Sequence, residues 1–327
     1  MDTAGVRAFW PGWAGGRALT VIRVGTRGSP LALRQAELVK ERLEALTSTG
    51  RVEVVPIRTS GDRLAQVALA DFGGKGLFVK EIEEALLKGR VDLGVHSLKD
   101  LPVTLPPGLC LAAFPPREDP RDALLSLTGG RIADLPAGAV VGTSSLRRRA
   151  LLLHLRPDLR VEPIRGNLDT RLRKLQEGRY DAVVLAAAGI RRLGLVAGQV
   201  QVLPPEEFIP AAGQGILAVQ ARMGDRPLLE LLTGLDHAET RWQAQAERAF
   251  LQHLGAGCHT PVAAHARVQD GELSLVGLVA SVDGRRVIRA ELAGAPEAGE
   301  RLGQKLAEDL KARGAVELLA ETDRKQS

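Results

Sequence analysis

Residues 20–30 read TVIRVGTRGSP, an apolar strand that runs into a tight turn and then into a proline. Pro30 suits the first turn of a helix, because its missing N–H would have no helical partner there. Apolar residues then recur at helical spacing at Ala36, Val39 and Leu43. This stretch therefore predicts a strand–turn–helix unit at the start of an α/β fold.

The same pattern recurs in the middle of the chain. The residues VGT at 24–26 are repeated at 141–143, in each case between an apolar strand and a helix. The residues GRVD at 89–92 are echoed by GRYD at 178–181, in each case between a helix and a strand. Because both matches keep the same chain order, duplication of one α/β lobe explains them better than chance. Strands that alternate with helices also indicate βαβ units and a parallel or mixed sheet.

Changes of pattern divide the chain into an extension and three domains. Double prolines at 115–116 and 204–205 suggest the limits of the second lobe, and residues 216–219 suggest a strand that returns to the first. A smaller α+β unit follows, with two antiparallel strands and then a helix over residues 298–319. The predicted boundaries are 1–18 for an N-terminal extension, 19–116 with 216–237 for domain 1, 117–215 for domain 2 and 238–327 for domain 3.

The composition of the 327 residues is that of an ordinary globular protein, with 45% hydrophobic and 25% charged residues. It excludes a wholly disordered chain. Two cysteines cannot support a disulfide scaffold, which fits a reducing compartment. The apolar run at 182–190 is about half as long as a membrane span. We therefore predict a cytoplasmic protein that does not bind a membrane.

Two turns place hydroxyl side chains beside arginine at the start of a helix. They read TRGS at 26–29 and TSSLRRR at 143–149. Unpaired N–H groups and the helix dipole favour an anion at such a position, and guanidinium groups add to the attraction. Simple N-capping by serine is the alternative for either turn alone. Arg165 and Arg171, which follow another short strand, are further candidates for binding an anion.

The anion is predicted to be a carboxylate rather than a phosphate. The sequence lacks the GxxxxGK[ST] phosphate loop, and GGKG at 73–76 does not have that spacing. Aromatic residues make up 3% of the chain, too few for the stacking surfaces that bind single-stranded nucleic acid. We therefore expect a small-molecule ligand and no nucleic-acid partner.

Two further residues could carry chemistry. Asp100 ends the stretch HSLKD after a strand, at the edge where open α/β sheets bind ligands. It could stabilise a developing cation, or it could simply pair with Lys99 on the surface. Cys258, in the loop GAGC, could act as a thiolate nucleophile, whereas Cys110 in an apolar strand is expected to be inert core. No metal is expected, because the histidines near Cys258 lack the spacing of a metal motif.

Seven short motifs together closely resemble the porphobilinogen deaminase family, which is also called the hydroxymethylbilane synthase family. The resemblance runs from about residue 22 to residue 268, which is most of the chain. Any one motif would be weak by itself, but all seven follow the family's order. They are TRGSPLA at 26–32, GGKGLF at 73–78, HSLKD at 96–100, GTSSLRR at 142–148, RGN at 165–167, AAGQG at 211–215 and GC at 257–258.

The resemblance implies both a fold and a reaction. The implied fold is α/β, with two similar lobes like those of periplasmic binding proteins and a smaller α+β C-terminal domain. The implied reaction joins four porphobilinogen molecules head to tail with loss of ammonia and releases linear hydroxymethylbilane for tetrapyrrole (haem) biosynthesis. A dipyrromethane cofactor made by the enzyme from its own substrate, a monomeric state and a mobile loop over the cleft at residues 62–74 are implied as well.

The resemblance also implies roles for individual residues. Cys258 would hold the cofactor through a thioether, and Asp100 would contact pyrrole N–H groups and stabilise the cation formed on deamination. The other implied cofactor contacts are Lys75, Ser97, Thr143, Ser144, Ser145, Arg147, Arg148, Arg165 and Gly166. The implied substrate contacts are Arg27, Ser29, Arg165, Arg171 and Arg192.

The chain departs from the family's pattern in two places. His259-Thr260-Pro261 stands where members more often have a sequence like Gln-Val-Pro, which leaves the role of His259 open. Asp71 stands where some members have lysine, so no contact is assigned to it. The competing interpretation is a non-catalytic two-lobed carboxylate-binding protein, which would need no covalent adduct at Cys258.

Overall fold

The computed structural model describes residues 21–47, 51–59, 79–127, 130–195, 199–257 and 260–326. The predicted N-terminal extension and the predicted loop at 62–74 lie outside these residues. Within them, the strands are β1 (Val21–Arg27), β2 (Arg51–Ile57), β3 (Leu93–Ser97), β4 (Leu109–Ala113), β5 (Asp122–Ser126), β6 (Val140–Gly142), β7 (Arg160–Glu162), β8 (Ala182–Ala186), β9 (Gln199–Val202), β10 (Leu217–Arg222), β11 (Val262–Gln269), β12 (Glu272–Ala280) and β13 (Val287–Gly294). The α-helices are α1 (Pro30–Leu46), α2 (Lys80–Leu87), α3 (Leu146–Leu155), α4 (Leu168–Gln176), α5 (Ala187–Arg192), α6 (Arg226–Leu232), α7 (Ala238–Leu254), α8 (Gly299–Ala312) and α9 (Ala315–Gln326).

The first sheet has five strands in the spatial order β2-β1-β3-β10-β4. Strand β1 runs parallel to β2 and β3, whereas β10 runs antiparallel to β3 and β4. Helix α1 starts at Pro30 and buries Ala36, Val39 and Leu43 in the core of this lobe. The strand–turn–helix prediction is therefore confirmed here.

The second sheet repeats this arrangement with the order β7-β6-β8-β5-β9. Strand β6 runs parallel to β7 and β8, and β5 runs antiparallel to β8 and β9. Every strand of the first sheet thus has a counterpart of the same relative direction in the second. This correspondence is what duplication of one lobe predicts.

One side-chain contact is present in both lobes. The carboxylate of Asp92 accepts a hydrogen bond from the N–H of Arg23 at 2.9 Å, and that of Asp181 accepts one from the N–H of Val140 at 2.7 Å. The N–H groups of Asp92 and Asp181 donate back to the carbonyls of the same two residues, each at 2.9 Å. The GRVD and GRYD repeats therefore fasten the starts of β3 and β8 to the neighbouring strands β1 and β6.

Two crossover segments connect the lobes. Residues 114–121 lead from β4 of the first sheet to β5 of the second, and residues 203–216 lead from β9 back to β10. The segments lie side by side, since the N–H of Glu118 donates to the carbonyl of Gly215 at 3.2 Å. Any movement of one lobe against the other has to bend both segments.

The C-terminal domain is an antiparallel sheet in the order β11-β12-β13, which packs against α7, α8 and α9. Helices α7 and α8 approach closely at Gly303, where a Cβ would lie 2.3 Å from the carbonyl oxygen of Ala246. The other face of the sheet carries Val276 and Leu278, which share a hydrophobic cluster with Leu151 of the second lobe. The predicted class, two similar α/β lobes with a smaller α+β domain, is confirmed.

The single helix predicted over residues 298–319 is wrong. Two helices form there, because Gly314 has φ 94°, a left-handed conformation that separates α8 from α9. Strand β11 reads VAAHARVQ and escapes prediction from the sequence, because alanine is depleted in strands and only two valines favour one.

Within the described ranges, none of the helices combines the length and the apolarity needed to cross a membrane. The longest there, α1 and α7, have 17 residues each.

Candidate active site

Asp100 lies at the carboxyl end of the central strand of the first lobe. A single 3-10 turn, Leu98–Asp100, follows β3 directly. The turn is fixed at Leu98, whose side chain is buried and whose N–H donates to the carbonyl of Ile216 at 3.0 Å. Asp100 itself is exposed. It lines a cavity together with Arg27, Ser29, Gln35, His96 and Ser97.

Two hydroxyl groups of this cavity are held by α1. Ser29 caps the helix, since its hydroxyl accepts a hydrogen bond from the N–H of Ala32 at 3.4 Å. The Ser97 hydroxyl accepts a hydrogen bond from the side-chain amide of Gln35 at 2.9 Å. Because Gln35 is buried, its amide holds the Ser97 side chain in place. The sequence does not identify Gln35, because one glutamine in a helical pattern carries no signal of its partner.

The equivalent turn of the second lobe is held by its own hydroxyl groups. Thr143 is buried, and its Oγ1 accepts a hydrogen bond from the N–H of Ser145 at 3.2 Å. Ser145 caps α3 by accepting from the N–H of Arg148 at 3.4 Å. Ser144 is exposed and donates its hydroxyl to the carbonyl of Ile164 at 2.7 Å. N-capping, the alternative interpretation of the two turns, is thus present at both Ser29 and Ser145.

Arg147 and Arg148 are buried and bind one carboxylate, that of Asp122 at the start of β5. Nη1 of Arg147 lies 2.7 Å from Oδ2 of Asp122, and Nη2 of Arg148 lies 2.7 Å from Oδ1. Burial by itself would raise the pKa of Asp122, but the two guanidinium groups hold it well below its usual value. The sequence does not identify Asp122, because this cluster forms only when the lobe folds.

The cluster keeps an unmet capacity to bind an anion. Two arginines share the single Asp122 carboxylate, which leaves a surplus of positive charge. Among the described residues, no atom accepts a hydrogen bond from the buried Nε of Arg147. Buried polar groups are normally satisfied, and a carboxylate is the strongest partner for a guanidinium group. Both observations therefore fit a carboxylate ligand.

Lys99 adds a cation beside Asp100. Its Nζ donates to Oε1 of Gln214 at 3.2 Å. Removal of the ammonium group from water, together with Arg148, lowers the pKa of Lys99 to about 8, while Asp100 opposes that shift. From the sequence alone, Lys99 is expected only as a possible surface partner of Asp100. Its place in HSLKD, at the end of a strand, is the signal that could have identified it.

The segment that enters α4 brings further arginines to the cleft. Gly166 has φ 108°, and a Cβ there would lie 2.5 Å from Cγ2 of Thr170, so the turn requires glycine. Arg171 donates from Nε to the Gly166 carbonyl at 2.9 Å. Desolvation and the positive charge of Arg148 lower the pKa of Arg171 to about 10, while the Asp100 carboxylate opposes that shift. Arg165 directly precedes this turn.

Arg192 is attached to the crossover segments. Its Nη2 donates to the carbonyl of Gly215 at 2.7 Å, and desolvation lowers its pKa to about 10. The neighbouring Arg191 pairs with Asp119 at 2.9 Å. Helix α5 of the second lobe is thus fastened to both connections. A substrate contact by Arg192 stays a prediction.

Lys75 and Cys258 lie outside the described residues. The described residues on either side of Cys258 are Gly257, which follows α7, and Thr260. The Thr260 hydroxyl donates to the carbonyl of Gly257 at 2.6 Å, so these two residues are close together. Cofactor attachment at Cys258 stays a prediction.

Known proteins match both parts of the chain. Residues 22–230 match the family model "Porphobilinogen deaminase, dipyromethane cofactor binding domain", and residues 242–312 match "Porphobilinogen deaminase, C-terminal domain". The porphobilinogen deaminase of Syntrophotalea carbinolica is 52% identical over 304 residues, 93% of this chain and 96% of that protein. That of Syntrophobacter fumaroxidans is 49% identical over 301 residues, 92% of this chain and 97% of that protein. The solved structure of an ancestral cationic amino acid solute binding protein aligns with this chain at 18% identity and a TM-score of 0.41. The alignment covers 66% of this chain and 88% of that protein's chain.

Proposed function

The chain belongs to the porphobilinogen deaminase family, and from this premise we propose that it joins four porphobilinogen molecules head to tail and releases hydroxymethylbilane. The resemblance seen in the sequence is thereby confirmed, and the protein is an enzyme of the transferase class with a dipyrromethane-binding domain. One observation carries the proposal for this chain: cations of both lobes lie near the exposed Asp100. Arg27 lines the same cavity as Asp100, and the Asp100 charge acts on Lys99 and Arg171. Arg147 and Arg148 in turn act on Lys99.

The donors of the second lobe fit a dipyrromethane. Each of its two pyrrole rings carries an acetate and a propionate, so the cofactor needs several cations. The surplus positive charge of Arg147 and Arg148 would attract such carboxylates, as would the Nε of Arg147, which has no hydrogen-bond acceptor in the described part of the chain. We expect Lys75, Ser97, Asp100, Lys99, Thr143, Ser144, Ser145, Arg147, Arg148, Arg165 and Gly166 to hold it, with Cys258 as the covalent anchor. When bound, the group supplies the pyrrole carbon to which the first substrate is joined.

The substrate's own carboxylates are expected to bind on the other side of the cleft. Arg27 lies at the end of β1, directly before the turn into α1. The N-terminus of this 17-residue helix presents N–H groups and the positive end of its dipole. Arg27 and Ser29 line the same cavity as Asp100, so a carboxylate bound there places the pyrrole ring beside Asp100. Arg165, Arg171 and Arg192 are the expected contacts from the second lobe.

Asp100 is proposed as the catalytic residue. Loss of ammonia from porphobilinogen leaves positive charge on the pyrrole ring. A carboxylate already in position stabilises that charge without reorganisation during the reaction. The turn that carries Asp100 is fixed by the buried Leu98 and by the backbone bond to Ile216. The carboxylate is therefore positioned before the substrate binds.

We further propose that the protein works in the cytoplasm as a monomer, with porphobilinogen as its partner and without nucleic acid or a membrane. Two cysteines in 327 residues fit a reducing compartment, and 3% aromatic residues are too few for stacking surfaces that bind single-stranded nucleic acid.

The proposed function is tested by incubating the purified protein with porphobilinogen. We expect one ammonia to be released for each porphobilinogen consumed, and hydroxymethylbilane to accumulate. Binding of porphobilinogen without release of ammonia would contradict the proposal, because that is the behaviour of a non-catalytic carboxylate-binding protein.

A further inference from the structure

A buried glutamine lies where the crossover segments meet. Gln214 is 1% exposed and stands between Gly213 and Gly215 in the returning segment. Both glycines have positive φ, and a Cβ at Gly215 would lie 2.3 Å from the carbonyl oxygen of Glu118. The N–H of Gly213 donates to the buried carboxylate of Glu247 in the C-terminal domain at 2.5 Å. The backbone that carries Gln214 is therefore fixed on both sides.

The side-chain amide of Gln214 contacts both lobes. Its Nε2 donates to the carbonyl of Pro120 at 2.7 Å and to Oδ1 of Asp122 at 3.0 Å. Its Oε1 accepts from Nζ of Lys99 at 3.2 Å. One amide orientation satisfies all three contacts, because the reverse would set oxygen against two acceptors and nitrogen against an ammonium group.

A neutral amide suits a position surrounded by charges. Arg147 and Arg148 repel the ammonium group of Lys99, and burial also disfavours the charged form of Lys99. Gln214 offers that ammonium an acceptor and offers the buried Asp122 carboxylate a donor. It therefore joins two charged groups of different lobes without adding a charge of its own.

We propose that Gln214 is a positioning residue, whose amide holds the Lys99 ammonium in register with the Asp122–Arg147–Arg148 cluster so that cations of both lobes meet the carboxylates of the same bound pyrroles. The proposal rests on the proposed function. Gln214 acts through Lys99 and not on the pyrroles themselves. Because Gln214 lies in the returning crossover segment, its link between Lys99 and Asp122 lies where the two lobes are connected.

The test compares Q214M and Q214E with Q201M, each as holoenzyme whose cofactor load has been confirmed by intact mass. Gln201 is a matched control on strand β9, where its Oε1 accepts one hydrogen bond from the N–H of Ile132 at 2.9 Å. Methionine keeps the approximate volume of glutamine and removes its strong hydrogen-bonding groups. We expect Q214M to lower kcat roughly 10- to 100-fold, because small misplacements of a charged group are costly. KM should change much less, and Q201M should leave both constants unchanged.

A second readout reports on Lys99 directly and not on turnover. The chain has nine lysines, so the Lys99 signal can be assigned in NMR spectra of protein with isotope-labelled lysine, by its loss in K99M. In Q214E the new carboxylate faces the ammonium group, so the pKa of Lys99 should rise; in Q214M loss of the acceptor should lower it. The charged groups of the wild-type protein that act on Lys99 are kept in both variants. They are Asp100, Asp122, Arg147 and Arg148.

An unchanged kcat in Q214M, or a Lys99 pKa that is the same in all variants, would overturn the proposal. Loss of the fold in both Gln214 variants would also overturn it, because Gln214 would then be a purely structural residue. Failure of the proposed function is distinguishable, since the wild type itself would then carry no cofactor and consume no porphobilinogen.

Discussion

The two α/β lobes share one strand order but differ in the residues at the carboxyl ends of their strands. In the first lobe, β3 leads into a turn that leaves Asp100 exposed beside Arg27. In the second, the equivalent strand β8 leads into α5, whose Arg191 and Arg192 bind the crossover segments. The duplicated fold determines where ligand-binding edges lie, whereas the side chains at each edge determine what it does.

Two aspartates show this difference most clearly. Asp122 is fully buried in the second lobe and bonded to Arg147 and Arg148. Asp100 is exposed in the first lobe and faces the cavity. We therefore expect Asp122 to act mainly on stability and Asp100 mainly on turnover.

The largest expected effect is the loss of stability in Asp122→Asn. Removing this charge leaves two buried guanidinium groups without a counter-ion, which should cost about 3–5 kcal/mol of unfolding free energy. Urea unfolding measures this quantity. Asp270→Asn is the control, because Asp270 is exposed and its φ of 51° suits asparagine. A loss below about 1 kcal/mol in Asp122→Asn would show that the cluster is not a stability element.

The same ion pairs should make stability depend on pH. The pKa of Asp122 in the folded protein lies well below its unfolded value of about 3.9. Its contribution is therefore fully present above the unfolded pKa and is lost as the pH falls toward the folded pKa. Urea unfolding from about pH 5 downwards should show a steeper loss for the wild type than for Asp122→Asn. Equal slopes would contradict this assignment.

Asp100→Asn should have the opposite profile. We expect kcat to fall roughly 100- to 1,000-fold, because a fixed charge that opposes the developing cation is lost. Unfolding free energy should stay close to that of the wild type, since Asp100 is exposed. Steady-state kinetics and urea unfolding together test this prediction, with Asp270→Asn again as the control. Near-normal turnover would remove Asp100 from the mechanism.

The repeated aspartates at the starts of β3 and β8 test how far the lobes are equivalent. Asp92→Ala and Asp181→Ala each remove the side-chain bond to a neighbouring strand. Asp92 also pairs with Arg23 and Arg222 at 3.0 and 3.4 Å, whereas Asp181 is exposed. We expect about 2–3 kcal/mol of destabilisation for the first and about 1 kcal/mol for the second, measured by urea unfolding. Equal costs would mean that the arginine pairs contribute nothing.

The smallest effects are expected at the two capping serines. Ser29→Ala and Ser145→Ala should each lower the unfolding free energy by about 1 kcal/mol, because each loses one helix-capping bond. Ser29→Ala should also raise KM for porphobilinogen, since this hydroxyl lines the cavity. Ser274→Ala, near the start of β12 and half-buried, is the control. An unaltered KM in Ser29→Ala would show that Ser29 caps the helix and does not contact the substrate.

The features that could be predicted from the sequence depend on residues close together in the chain. Pro30 and the capping positions of Ser29 and Ser145 are local helix signals. Asp100 stands out because it ends the short turn that directly follows a strand. The GRVD and GRYD repeats indicate the duplication because each is a match of four consecutive residues between a helix and a strand, although the contacts that their aspartates make span 69 and 41 residues. These signals locate the cleft and its carboxylate.

The residues that complete the site could not be predicted, because they meet across long stretches of chain. Lys99 and Gln214 are 115 residues apart, and Asp122 and Arg148 are 26 apart. Tertiary packing decides which buried polar groups pair, and neither periodicity nor propensity reports on it. The break at Gly314 was hidden for a related reason, since one glycine in a helical pattern is often tolerated.

Every step proposed for the cleft depends on a dipyrromethane held by Cys258. The most direct measurement is the intact mass of the purified protein, followed by mapping of the peptide that contains Cys258. We predict a mass excess of one dipyrromethane on that cysteine, with further additions of one pyrrole unit each when porphobilinogen is limiting. A Cys258 that is unmodified and gains no adduct during incubation with porphobilinogen would contradict the account and favour non-catalytic carboxylate binding.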